Sequence, residues 1–193
     1  MKLVILDRNG SVNVFREDFV KSDAEWTPLP GALEAIAKLN HAGWRVVLAS
    51  NQSGLGRGLF DVASLNAMHA KMHKMLAAVG GRVDAVFYCP HSPDEGCACR
   101  KPKPGLFIQI GERYGVDLAD VPTAGDSLRD LQAGAAAGCE PHLLLTGTDA
   151  ACRGAPLPPA YPPGTLVHED LAAFATFLLE REERAAALDA AAR

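Results

Sequence analysis

Asp7 closes a short apolar run, Leu3-Val4-Ile5-Leu6, and a glycine, Gly10, follows three positions later. Such a run reads as a buried parallel strand that delivers a carboxylate to the C-terminal edge of a sheet, where open α/β folds hold their ligands. A carboxylate there can attack phosphorus, and the aspartyl-phosphate so formed splits one hard displacement into two easier ones. Three more polar clusters follow later in the chain. Ser50-Asn51-Gln52-Ser53-Gly54 offers a hydroxyl and free backbone N–H groups to phosphate oxygens. Arg100-Lys101-Pro102-Lys103-Pro104-Gly105 places cations just ahead of a helix. Gly125-Asp126-Ser127-Leu128-Arg129-Asp130 adds a second carboxylate, so that Asp126 and Asp7 together can hold Mg²⁺, a hard cation that takes carboxylate oxygen and keeps several waters. Asp130 reads as a loop brace or helix cap.

Cys89-Pro90-His91 and Cys97-Ala98-Cys99 place three thiols and one imidazole within eleven residues. That donor set suits a closed tetrahedral Zn²⁺ site with no open position for catalytic water. Zinc would fold a loop that lacks a core of its own and would fix Arg100 and Lys101 beside the phosphate. His69 and His73 stand four apart, but without the glutamate of a zinc-protease helix, and read as surface or half-buried histidines. Cys139 and Cys152 read as ordinary thiols, and His41, His142 and His168 give no functional signal.

The elements that must position these groups alternate. Strands are expected over 2–7, 44–49, 85–88, 121–124 and 142–145, with a marginal one at 166–167. Helices are expected after Pro30-Gly31, over 62–79 capped by Asp61, over 104–114 from Pro104, over 127–137 and from about 169. This alternation implies a Rossmann-like, doubly wound parallel sheet covered on both faces. Residues 147–164, with five prolines, read as an irregular loop, and the Ala-rich last turns of the closing helix as solvated and fraying. Roughly twenty residues separate Asp7 from the first helix and about eleven separate Ala49 from Asp61, too few for a cap domain in either gap.

The 193 residues, 48% apolar and 22% charged, suit a single domain over 1–193. A net charge of −4 disfavours nucleic acid and leaves a small phosphorylated molecule as the expected partner of a monomer. The leading apolar run is too short for a signal peptide or membrane span, and five cysteines, an odd number, do not form a secreted disulfide framework. A cytoplasmic location is expected.

The four strand-end clusters resemble the motifs of the haloacid-dehalogenase-like phosphatases. The joint pattern of Asp7-Arg8-x-Gly10, Asn13, Ser50 to Gly54, Arg57-Gly58, the Cys/His pairs and Arg100-Lys101-Pro102 is similar to the D-glycero-D-manno-heptose-1,7-bisphosphate 7-phosphatases, over residues 1 to about 146. The resemblance implies a capless phosphatase with a zinc loop over 89–101 that removes the 7-phosphate during synthesis of the heptose of lipopolysaccharide core. It makes Asp7 the nucleophile, has Asp7, Asp126 and the carbonyl of residue 9 hold Mg²⁺, and has Ser50 and Lys101 steady the phosphoryl group. Substrate contacts are implied for Arg8, Asn13, Asn51, Gln52, Ser53, Arg57 and Arg100, the last suited to a second phosphate through its guanidinium fork. The Phe15-Arg16-Glu17-Asp18 stretch matches the sugar-contacting segment in position only. Histidinol-phosphate phosphatases share the zinc loop and are the alternative substrate class.

Asn9 departs from the pattern, which carries an acid there to protonate the leaving oxygen and later deprotonate water. An amide cannot shuttle that proton, and losing a general acid–base group costs about 10²–10⁴-fold in rate. The chain is therefore expected to bind Mg²⁺ and substrate but to turn over slowly. An engineered trap, a natural binder with suppressed catalysis and a variant that borrows another acid all fit. Slow deamidation at Asn9-Gly10 is a further route to an acid here.

Overall fold

A computed structural model describes residues 1–191. Six strands, β1 (Leu3–Leu6), β2 (Arg45–Asn51), β3 (Ala85–Cys89), β4 (Pro122–Gly125), β5 (Glu140–Leu144) and β6 (Leu166–His168), form one parallel sheet in the order β3-β2-β1-β4-β5-β6. Six helices connect or close it: α1 (Ala32–His41), α2 (Ser53–Gly56), α3 (Val62–Ala78), α4 (Gly105–Tyr114), α5 (Leu128–Ala136) and α6 (Leu171–Ala191).

The period of two along each strand sorts its side chains between the faces. Val4 and Leu6 of β1 pack with Val46 and Leu48 of β2 against α1, α3 and α6, through Ile36, Met68, Met72 and Phe174. Leu3, Ile5, Val47 and Ala49 point the other way, onto Leu106, Phe107 and Ile110 of α4. Each large apolar side chain so buried contributes about 1.5–3 kcal/mol by leaving water. Both faces are covered, so the strands are apolar throughout rather than alternating.

The order turns back at β1. The chain first builds β2 and β3 on one side, then crosses to β4, β5 and β6 on the other. The crevice beyond the ends of β1 and β4 is the switch point at which doubly wound sheets bind ligands, and Asp7 and Asp126 follow those two strands directly.

β2 runs on to Asn51, pairing Ser50 with Tyr88 and Asn51 with Cys89, so Ser50 lies within the sheet instead of in the loop expected after residue 49. Asp61 caps α3 by accepting from the Ser64 N–H, as expected of a helix N-cap. A short helix, α2, replaces the expected loop at Ser53–Gly56. The 7–31 connection holds turns and isolated bridges and no inserted domain. α6 is helical through Ala191 with its side chains solvated from Glu183 onward, and the expectation for the last two residues lies outside the described ones. Among the described residues no helix is long and apolar enough to cross a membrane.

Candidate active site

Lys101 is the hub of the strand-end cluster. Its ammonium donates to Asp7 Oδ1, to Asp130 Oδ1 and to the Ala49 carbonyl, each at 2.7 Å, in a position only 2% exposed. Asp126 completes a set of three buried carboxylates whose ligand oxygens all lie within 4.8 Å of one another. Asp130 Oδ2 accepts from the Ser127 N–H at 3.1 Å and hydroxyl at 2.6 Å, closing a capping box on α5. It is thus held on both oxygens, as a brace would be.

Three carboxylates face one ammonium, and the imbalance shows in their protonation. Burial, then the charges of Asp7 and Asp130, push Asp126 up to about 8. Burial also raises Asp7, against the pull of Lys101. Against the same burial, Lys101 and the Ser127 hydroxyl hold Asp130 below the usual carboxylate range, while Asp130 and Asp7 raise Lys101. A further cation would relieve the repulsion, and hard oxygen donors suit Mg²⁺. Gly10, at φ 83°, and Gly147 press so closely on the Asp126 carboxylate that a β-carbon at either would collide with it. The Asn9 backbone carbonyl, the third expected donor, takes no hydrogen bond among the described residues.

Ser50 stands beside this nest, 1% exposed, its hydroxyl accepting from Gln52 Nε2 at 2.7 Å. Gln52 was expected at the substrate, but its buried amide orients Ser50 instead. Asn51, which also lines the cavity outside the nest, has a structural tie as well: its Nδ2 donates to the Lys101 carbonyl at 3.1 Å and its Oδ1 accepts from the Lys101 N–H at 3.0 Å. The amide clips the backbone that carries the key ammonium. The pair is tied across fifty positions of sequence, which no local pattern reveals.

Arg8 and Asn13, for which substrate contacts are implied, are fully buried and turn toward Asn9. Arg8 donates to Asn9 Oδ1 at 3.1 Å and bonds His69 Nε2 at 3.1 Å, while Asn13 Nδ2 donates to Asn9 Oδ1 at 3.2 Å. Burial, followed by the charges of Arg8 and His73, lowers His69 to about 4, so its ring is neutral and Nε2 accepts. Among the described residues Arg8 has no carboxylate within ion-pair distance, and its Nε is a buried donor without a partner. His69, read from sequence as a surface or half-buried histidine, is the orienting partner of this guanidinium. The Gly10 nitrogen that would close a succinimide ring on Asn9 donates to the Asn13 carbonyl at 2.7 Å, which opposes deamidation.

Outside the nest lies a cavity of about 260 Å³ lined by Asn9, Phe15, Arg16, Glu17, Phe19, Val20, Asn51, Ser53, Arg57, Arg100 and Arg129. Arg16 is spent on a two-pronged pair with Asp18 at 3.0 and 2.9 Å. Arg57, Arg100 and Arg129 remain to converge on the cavity. Burial, then the charge of Arg129, lowers Arg100, and its Nη1 is buried without a partner. Arg129 was missed in the sequence because it sits inside the Asp126 motif, where it looks like a solvated helix residue. Phe19, at φ 67°, is held in a conformation rare for a bulky side chain and lies under the Arg57 guanidinium, 5.7 Å away. A larger cavity of about 900 Å³ runs beside His91, Leu55 and Phe60 but contains none of the strand-end carboxylates.

Cys89, His91, Cys97 and Cys99 do converge. His91 Nδ1 is 3.4 Å from Cys89 Sγ and 3.3 Å from Cys99 Sγ, and Cys89 Sγ is 3.6 Å from Cys97 Sγ. Tetrahedral Zn²⁺ bonds of about 2.0–2.3 Å set neighbouring donors about 3.5–3.8 Å apart, so the cluster fits the ion. Lys101 and Arg100 leave this loop directly into the nest and the cavity.

Comparison with known proteins bears on the same residues. A haloacid dehalogenase-like hydrolase profile matches residues 4–138. The chain is 61% identical, over 93% of its length and 99% of the relative's, to a D-glycero-beta-D-manno-heptose-1,7-bisphosphate 7-phosphatase of Bordetella bronchiseptica. It is 51% identical to the enzyme of that name from Pseudomonas aeruginosa, over 92% and 98% of the two chains. A crystal structure of D,D-heptose 1,7-bisphosphate phosphatase from B. bronchiseptica, complexed with magnesium and phosphate, superposes with a TM-score of 0.88 at 60% identity, covering 94% of this chain and 99% of that one. With its nest at the switch point and no large cap, this chain belongs to the haloacid dehalogenase-like hydrolases, within their heptose-1,7-bisphosphate 7-phosphatase family.

Proposed function

We propose that the chain is a Mg²⁺-dependent phosphatase that takes the 7-phosphate from D-glycero-β-D-manno-heptose 1,7-bisphosphate, with turnover limited by Asn9. The observation that carries this reading is Asp7, 2.7 Å from Lys101 at the switch point, with Asp126 beside it. A cation between Asp7 and Asp126 would screen the phosphoryl oxygens from the attacking carboxylate.

Asp7 attacks phosphorus and the bond to the sugar oxygen breaks, leaving the phosphoryl group on the Asp7 carboxylate. Lys101, released from Asp7 by this transfer, stays within reach of the phosphoryl charge, and the Ser50 hydroxyl supplies a donor on the β2 side. The departing alkoxide needs a proton, and the water that later cleaves the acyl-phosphate must lose one. Asn9 can supply neither, so both protons pass through solvent.

Arg57, Arg100 and Arg129 around one cavity favour a substrate with a second phosphate over histidinol phosphate, which has a single one. Zinc, held by Cys89, His91, Cys97 and Cys99, would fix the loop that delivers Arg100 and Lys101. A small-molecule partner, a cytoplasmic setting and a monomeric state complete the reading. A substrate panel on the Asn9→Asp form tests it: kcat/KM is expected to be highest for the β-heptose bisphosphate and well below that for histidinol phosphate. Preference for histidinol phosphate would overturn the assignment, and Mg²⁺-dependent binding without hydrolysis of any monoester would favour a non-catalytic sugar-phosphate binder.

A further inference from the structure

The segment after β5 packs against Asp126. The Thr148 N–H donates to Asp126 Oδ2 at 2.6 Å, and the next N–H, of Asp149, donates to the Asp126 backbone carbonyl at 3.0 Å. The same segment is tied to the first strand's turn, since the Thr146 hydroxyl donates to the Gly10 carbonyl at 2.6 Å. Two successive amides thus grip one residue at its main chain and its side chain. Their aim depends on what holds residue 149.

That hold is the Asp149 carboxylate. Its Oδ2 accepts from the Leu128 N–H at the start of α5 and from the Tyr161 hydroxyl, each at 2.6 Å. The Tyr161 ring, although it belongs to the proline-rich 147–164 stretch, is only 9% exposed and packs with Leu131, Leu143 and Leu145. One oxygen therefore joins the helix after Asp126, the segment that grips Asp126 and an anchored point of the surface loop. The Ser127–Asp130 capping box satisfies the Ser127 and Asp130 N–H groups, and Asp149 takes the Leu128 N–H between them; capping does not account for the Tyr161 hydroxyl on the same oxygen.

We infer that Asp149, clamped by Tyr161, is a positioning residue that aims the Asp126 carboxylate at the cation. The inference rests on the Mg²⁺ reading proposed above. Partners that orient a metal's carboxylate ligands typically weaken metal binding about 10–100-fold when removed.

Calorimetric titration of the full chain with MgCl₂ tests it, with the urea unfolding midpoint recorded for each variant. Asp149→Ala is expected to weaken Mg²⁺ binding about 10–100-fold, and Asp149→Asn, which keeps an oxygen toward Leu128 and Tyr161, to recover most of that loss. Tyr161→Phe keeps the ring in its apolar cluster and carries the test if Asp149→Ala does not fold; it too is expected to weaken binding. Mg²⁺ affinity unchanged in the folded variants, whatever the midpoint does, would reduce Asp149 to a helix cap and overturn the inference alone. A parent chain that binds no Mg²⁺ would overturn both this inference and the functional reading beneath it.

Discussion

Lys101 and Arg8 are both buried cations bonded to the chain just past β1, yet their surroundings are opposite. Lys101 meets two carboxylates at 2.7 Å, with a third nearby, and its charge is reinforced against burial. Arg8 meets a neutral imidazole and a neutral amide, has no carboxylate within ion-pair distance among the described residues, and is lowered by burial to about 10. An unpaired buried charge is costly, whereas a paired one is roughly balanced. The two donors aimed at Asn9 Oδ1, from Arg8 and Asn13, make a cradle that would suit a carboxylate at position 9. The first cluster sets three carboxylates against one ammonium; the second holds a guanidinium with no carboxylate within ion-pair distance among the described residues. In the proposed reading binding and proton transfer are thereby separated: the groups assigned to phosphate and metal are in place, and position 9 offers an amide where an acid is expected.

The largest effect on stability is expected at the satisfied cation. Lys101→Met leaves Asp7 and Asp130 buried without their counter-charge and should cost about 3–5 kcal/mol in urea unfolding; a loss below about 1 kcal/mol would mean that the nest tolerates its own repulsion. The unsatisfied cation should behave in the opposite way. Arg8→Met is expected to be neutral, or to stabilise by about 1–4 kcal/mol, in the parent chain, but to cost about 3–5 kcal/mol once Asn9→Asp has supplied a partner. The coupling between the two substitutions, read from a double-mutant cycle, is what tests the cradle. Additive effects would mean that Arg8 does not sense residue 9.

A smaller effect concerns His69. Its folded pKa of about 4 lies below its ordinary 6.5. The unfolded chain therefore binds more protons between those values, so the stabilisation from neutral His69 is full above about pH 6.5 and is lost as the pH falls toward 4. In the Asn9→Asp form a carboxylate offsets the Arg8 charge, and the imidazole titration followed by NMR should move upward. An unmoved titration would separate His69 from the cradle.

Much of this was legible in the sequence where function depends on a residue's place along the chain. Asp7, Ser50, Lys101 and Asp126 are recognisable because an apolar strand or a helix start sits beside each. The three thiols and the imidazole are recognisable as a metal-binding set because all four fall within eleven residues. Relations that depend on which way a side chain turns were hidden. The Gln52 amide turns onto Ser50 and the Asn51 amide onto the Lys101 backbone, Arg8 reaches His69 across sixty-one positions, and Asp149 meets Leu128 only after β5 has been laid beside β4. The Arg129 signal was present but masked by the motif around it.

The central claim is that Asn9 withholds a proton and little else. Steady-state phosphate release from the heptose bisphosphate, compared between the parent and Asn9→Asp and accompanied by titration of each with Mg²⁺ and inorganic phosphate, tests it directly. Mass analysis of the Asn9–Gly10 peptide should verify that the parent amide is intact. The account predicts a rise of about 10²–10⁴-fold in kcat with binding of Mg²⁺ and phosphate nearly unchanged. Equal turnover by a parent whose Asn9 is intact would contradict it.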